Sequence, residues 1–312
     1  MHSLHAWRDG LRRVASAPAV VAIVWIATTL ISLPLTFTIR GDIMQSLGNS
    51  LDSDAAARGV SIEWMQEFET HAAGVDSTFR PTIVGFAAVL DNVSAYIDNV
   101  QRPSAIAAAA GIYVLLWTFL TGGVIDSYAN AGRSTQVGEF LRASGRFFFR
   151  FVRLEIVTAL AYGVLFGGVH RWLFRSIYPR LTDGIAVEQT AFLVRVSLYV
   201  LFVLMLAAVN LVFDFAKVRT VIEDRRSMLV ALAASGRFIR RHAASAIGVY
   251  LLDAIAFAGV LAAYAYIAPP GGGTGAMVWA AFLIGQAYIA GRLAVRLLFF
   301  ASETALFQRR HN

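Results

Sequence analysis

The sequence holds no cysteine and a single lysine, and only 15 % of its residues are charged. Without thiols there is no disulfide, no thiolate metal site and no cysteine nucleophile, and the redox compartment is left open. Soluble domains carry about 25 % charged residues. The shortage of charge, with 57 % hydrophobic residues and a mean hydropathy of +0.61, therefore reads as a membrane protein. Of the 27 lysines and arginines only Lys217 is a lysine. We read this bias as that of a GC-rich bacterial genome rather than of a nucleic-acid surface. The net charge of +7 needs no polyanionic partner either, because arginines beside membrane spans hold cytoplasmic loops inside.

Catalytic motifs are lacking too. The six histidines, at positions 2, 5, 71, 170, 242 and 311, show neither HExxH spacing nor a cluster of ligands. No G-x-S-x-G elbow occurs, and Gly271 to Gly275 lacks the Lys and Ser/Thr that complete a phosphate loop. The expectation is a protein that is not an enzyme, with no catalytic residue, no metal and no cofactor.

Long apolar runs are what the chain does have. Crossing the hydrocarbon takes about 20 apolar residues, and six stretches qualify: Ala19 to Thr36, Ala105 to Ile125, Leu154 to Leu173, Ala191 to Phe213, Ala244 to Ile267 and Ala276 to Phe300. Pro18 suits the first helical turn of the first span, and Pro34 falls near its end. Arg8, Arg12 and Arg13 precede that span, and no small-residue cleavage site follows it, so it reads as a retained signal anchor.

The spans are arranged around a repeat. Ala143, Ser144, Gly145, Arg146 and Phe147 recur as Ala234, Ser235, Gly236, Arg237 and Phe238, each copy following an apolar run that ends in Asp126 or Asp214. Spans two and three and spans four and five thus form two copies of one unit: membrane helix, basic amphipathic helix, membrane helix. The fold class expected is an all-α membrane protein of six helices with this internal repeat, organised as one membrane domain over residues 1–312. Residues 127–153 and 214–243 are its basic connecting segments.

Orientation follows the arginines. The N-terminal tail and both basic segments fall on one side by the count of crossings, which puts both termini in the cytoplasm of a bacterium and the protein in its inner membrane. One loop, with Arg171, Arg175 and Arg180, departs from the rule. The opposite side receives residues 37–103, with nine acids against four arginines. Ile43, Leu47 and Leu51 keep helical spacing there, Ser61 begins a second stretch with Trp64, Met65 and Phe68, and Pro81 opens a third with Ile83, Phe86, Leu90, Val93 and Ile97. These predict a helical extracytoplasmic cap.

In the first basic segment Ser134 or Thr135 suits a helix cap, and Arg142, Arg146 and Arg150 form an i, i+4, i+8 row beside Phe140, Ser144 and Phe147. Arg237, Arg240 and Arg241 supply the charge in the second. Such helices lie in the membrane interface against anionic lipid headgroups, and they also offer a contact surface to a cytoplasmic or membrane protein partner.

Charges inside spans are costly and point to function. They are Glu155, Arg195, Asp253, Arg292 and Arg296, with Asn210 and Gln286 as uncharged polar company and Tyr250 beside Asp253 and Arg292. Counted from the inner ends of their spans, Asp253 and Arg292 sit at matching depth, as do Glu155 and Arg296. Each couple is expected either to lock helices as an ion pair or to line a polar intramembrane site. Gly163 and Gly167 in span three, and Ala287 and Gly291 in span six, are spaced for close helix packing.

By its six spans and its two Asp-to-ASGRF units, the chain resembles a broad set of bacterial six-helix membrane proteins. Its layout is similar to that of the membrane domain found fused to glycerophosphodiester phosphodiesterases. The resemblance covers spans two to six and implies a fold; the catalytic phosphodiesterase domain has no counterpart here, so no active-site residue is implied. Two functional readings stand open. The first is a non-enzymatic accessory or scaffold subunit; the alternative is a transporter or permease subunit for a small solute or lipid, working with a separate cytoplasmic ATPase.

Overall fold

The computed structural model describes residues 2–58, 61–79, 86–100, 104–131, 136–268 and 275–311. Pro81 and Ile83, the Ser134 or Thr135 cap, and the turn from Pro269 through residue 274 lie outside them. Among the described residues the protein is helical throughout, without strands, and six helices are long and apolar enough to cross a membrane. It is a multi-pass membrane protein. The helices are α1 (His2–Ser16), α2 (Pro18–Asn49), α3 (Ser53–Arg58), α4 (Ile62–His71), α5 (Phe86–Ile97), α6 (Ser104–Ala129), α7 (Val137–Val164), α8 (Tyr178–Thr182), α9 (Glu188–Ile222), α10 (Met228–Arg241), α11 (Ala243–Ile267) and α12 (Ala276–His311).

Four of these depart from the expected boundaries. The N-terminal tail is helix α1, which lies against α11 and the end of α12. Its contact rests on small residues: Ala6 and Gly10 are buried one turn apart, and a Cβ on Gly10 would come within 2.8 Å of the Ser302 backbone. Helix α2 does not stop near Pro34 but runs on to Asn49, so Ile43 and Leu47 belong to the span's own extension. They pack on Trp64, Met65 and Phe68 of α4, which Ser61 caps by accepting from the Trp64 N–H at 3.2 Å.

In the first basic segment the amphipathic helix and span three are one continuous helix. Phe140, Ser144, Phe147, Phe151, Leu154 and Thr158 bury a single stripe along both parts of α7, so the apolar face never changes direction and nothing breaks the helix. Two π-helical segments, Leu165–His170 and Trp172–Ile177, then lead into α8. The second segment behaves differently: α10 and α11 are separate, with His242 between them donating its N–H to Phe238 and Ile239. Finally, α12 continues past Phe300 to His311.

The basic segments gather at one end of the bundle. Arg13 donates to the Tyr128 carbonyl at 2.7 Å, Gln308 to the Ala129 carbonyl at 3.0 Å, and Arg219 to the Ala234 carbonyl at 2.9 Å. The main core sits at this arginine-rich end, built from Val124, Tyr128, Phe147, Phe215, Leu297 and Phe307 among others. Helices α6 and α7 touch most closely there, since a Cβ on Gly123 would lie 2.6 Å from the Phe140 carbonyl oxygen. The close approach expected at Gly163 and Gly167 is absent, because both positions face open space.

At the far end α5 is pinned across the bundle. Asn99, in the left-handed region at φ 55°, donates its amide to the Phe166 carbonyl, His170 bonds the Ile97 carbonyl, and Tyr199 donates to Asp98. The π-helical turn at 165–170 therefore supplies two of the anchors.

Candidate functional site

The intramembrane charges separate into two groups, one closed and one open. In the closed group Asp253 is fully buried and accepts a hydrogen bond from Ser302 Oγ at 2.5 Å. The Trp7 indole is its other polar neighbour, although Trp7 Nε1 and Asp253 Oδ1 both remain without a hydrogen bond. Glu303 is also fully buried, with neither carboxyl oxygen hydrogen-bonded. Glu155 and Asp214 share Lys217, whose Nζ lies 2.8 Å from Glu155 and 3.7 Å from Asp214.

These partners correct both expected couples. Asp253 pairs with Ser302 rather than Arg292, and Glu155 with Lys217 rather than Arg296. The depth count placed the end of span six at Phe300, but α12 continues for three more turns. Ser302 thus becomes the neighbour of Asp253, and Arg292 stands ten residues, about 15 Å, farther along the helix.

The open group is built around Arg292. It lines three adjoining cavities at the middle of the bundle. One, of about 760 Å³, lies between α2, α6 and α12 and includes Thr28, Tyr113 and Gln286. A second, of about 870 Å³, lies beneath α5 between α9, α11 and α12 and includes Asn210, Tyr250 and Tyr288. The third, of about 480 Å³, joins Arg292 to Arg296 and Phe299. Of the residues singled out in the sequence, Tyr250, Gln286, Arg292 and Arg296 are thus brought to connected cavities. Asp253 and Glu155 are not.

Arg292 and Arg296 are exposed to these spaces although protein surrounds them. Arg296 stands over the Trp117 ring, 3.8 Å from its centroid, and Arg292 stands 6.0 Å from the Tyr288 centroid. Among the described residues neither has a carboxylate within ion-pair distance. Beside them Tyr162 donates to Asn210 Oδ1 at 2.6 Å, and Tyr250 packs edge-on against Phe299. Among the described residues no three His, Asp or Glu side chains converge as metal ligands would.

The arginines expected to make cytoplasmic contacts also divide. Arg146 and Arg150 are taken up by Asp224, at 2.8 and 2.6 Å. Hydrogen bonding from Arg150, reinforced by the charge of Arg146, holds the Asp224 carboxyl below the usual carboxylate range. Next to it, burial would raise the Glu223 carboxyl, but Arg219 and Arg225 outweigh that and lower it. Arg142, Arg237, Arg240 and Arg241 remain exposed.

Sequence reasoning missed Trp7, Ser302 and Trp117 as neighbours of Asp253 and Arg296, and Lys217 as the partner of Glu155, since each reaches that charge from a different helix. Glu303 was legible as a lone acid inside the apolar run Phe300 to Phe307, but its burial depends on α1 covering that run. Comparison with protein-family models, with curated proteins and with solved structures gives no match to this chain.

Proposed function

We propose that the protein is a permease-type subunit of a bacterial inner-membrane transport system, which accepts a small solute or lipid at mid-bundle and performs no covalent chemistry itself. The observation that carries this reading is Arg292, exposed where three cavities meet at half the length of α12. An unpaired cation in a span faces a cavity or the bundle interior and marks a substrate path in most membrane proteins that carry one. A scaffold needs no such residue.

In this reading the arginine-rich end is cytoplasmic, in keeping with the positive-inside rule, and the helices of residues 37–103 form an outer cap. Arg142, Arg237, Arg240 and Arg241 meet anionic headgroups or a separate cytoplasmic ATPase, and the two ASGRF units are copies of one helical device. The kinship in layout with the membrane domain of glycerophosphodiester phosphodiesterases belongs to the same proposal.

The accessory or scaffold reading keeps one observation in its favour, the exposed arginine patch on α7 and α10. Purification of the tagged protein in native lipid discs, with identification of what accompanies it, separates the two. A stoichiometric ATPase, together with loss of function in Arg292→Gln, supports the permease. A stoichiometric membrane partner, with function intact in Arg292→Gln and lost in the Arg237, Arg240 and Arg241 triple alanine variant, overturns it.

A further inference from the structure

Arg292 and Arg296 place two positive charges near the midpoint of the 36-residue α12, and among the described residues no carboxylate makes an ion-pair contact with either, Asp214 and Glu155 acting on Arg296 only at longer range. Standing at i and i+4, they repel each other, and at this depth in a span each is costly without a counter-charge. The Trp117 ring covers the Arg296 guanidinium from one side, and a guanidinium fork is the group that recognises phosphate and carboxylate. The buried Tyr288 hydroxyl, beside Arg292, has no hydrogen-bond partner of its own.

The adjoining cavity between α2, α6 and α12 has the opposite character. Three of its hydroxyls are spent within α2, Thr28 on the Val24 carbonyl, Ser32 on Thr29 and Thr38 on Pro34. Leu30, Ile31, Leu35, Ile112, Ile289 and Leu293 make its wall mostly apolar, and Tyr113 and Gln286 join Arg292 as its polar members. Its volume of about 760 Å³ falls within the range of small-molecule sites. Leu30 and Ile112, on facing helices of its lining, are 58 % and 55 % exposed, so its rim is open sideways to lipid.

We infer that this is a binding site for a phosphate-headed lipid. The headgroup is held by Arg292 and Arg296 and the alkyl chain lies in the cavity between α2, α6 and α12. A phosphomonoester carries about two charges at neutral pH, which matches the two arginines, and a chain accounts for an apolar cavity that a free anion would leave empty. This names the substrate class of the permease reading and rests on it.

The test is competition binding to the purified full-length protein in detergent, read by native mass spectrometry. The probes are phosphatidic acid, phosphatidylcholine with the same chains, inorganic phosphate and a short-chain alkyl phosphate. Phosphatidic acid is expected to be retained over phosphatidylcholine by about tenfold or more, with Arg292→Gln and Arg296→Gln each lowering retention about tenfold. Ala109→Phe, which narrows the chain cavity and keeps both arginines, is expected to expel phosphatidic acid but not the short-chain phosphate.

Equal retention of phosphatidylcholine overturns the headgroup assignment. Displacement by equimolar inorganic phosphate overturns the lipid in favour of a free anion. Unchanged retention in Arg292→Gln overturns the site. Where an arginine variant fails to fold, the Ala109→Phe result decides. Reconstitution keeps the two proposals apart: phosphatidic acid bound as described with no lipid or solute moved sinks the permease and leaves the site, whereas transport without phosphatidic acid binding sinks the site and leaves the permease.

Discussion

The two halves of the bundle use charge in opposite ways. At the arginine-rich end nearly every helix contributes to a tight core, and its cations are matched to carboxylates: Lys217 with Glu155 and Asp214, Arg150 with Asp224, Arg219 with Glu223, Arg309 with Asp9. The buried carboxyls of Asp253 and Glu303 are the exceptions, with no cation in ion-pair contact with them among the described residues. Beyond Leu293 toward the other end, the same helix α12 loses its buried residues and its neighbours separate into cavities; Arg292 stands at that boundary and Arg296 one turn inside the packed half, neither in ion-pair contact with a carboxylate among the described residues. A single helix thus carries a locked half and an open half. In the locked half, removing a partner strands a charge; in the open half, removing a charge relieves one.

Five substitutions break or sharpen that contrast. Lys217→Met leaves Glu155 and Asp214 facing each other, mostly buried, and is expected to cost about 3–5 kcal/mol, with much of the loss recovered in the Lys217→Met, Glu155→Met double variant. Thermal unfolding followed by tryptophan fluorescence in lipid discs reads both. Gly123→Ala drives a methyl group into the Phe140 carbonyl and Ser144 Oγ and should cost about 1–3 kcal/mol. Gly163→Ala, in the open half with nothing within 4 Å, should show no loss; equal effects at the two glycines would erase the distinction between the halves.

Asp224→Asn should cost less, about 0.2–1 kcal/mol, and the cost should shrink in high salt, because the carboxylate is half exposed. The sign with pH follows from its lowered pKa. The contribution is complete above the ordinary carboxylate value of about 3.9 and disappears as the pH falls through the depressed value, so acid titration of the wild type against Asp224→Asn should converge at the acid end. The smallest effect carries the opposite sign. Arg292→Met removes an i, i+4 repulsion and should raise stability by a few tenths of a kcal/mol, at the expense of the ligand; a clear loss of stability would mean that Arg292 has a protein partner after all.

The six membrane helices were legible because each needs only a long apolar run, a local property of composition. Helix ends were less so. Pro34 and Phe300 looked like the ends of spans, yet α2 and α12 run on; the extension of α12 is packed against α1, Gly10 on Ser302 and Asp9 with Arg309, a cover that the local sequence does not show. Tyr250, Gln286, Arg292 and Arg296 were recognisable as polar residues in apolar spans, and all four reach the cavities. Their partners were not recognisable, because a helix that ends three turns late changes which residue faces Asp253.

The ASGRF units show the same limit. Ser144 and Ser235 are both buried as the shared motif would suggest, but one copy sits within a continuous helix and the other one turn before a break at His242. Identical local residues leave that choice to the downstream chain and to the helices packed alongside. By itself the sequence determined an all-helical membrane protein of six spans, with its arginines segregated, because hydropathy and helical periodicity act within a single segment. Which charges are neutralised and which are left facing a cavity was decided only by the tertiary structure, because an ion pair depends on the register between helices, and that register is set by packing among residues far apart in the chain.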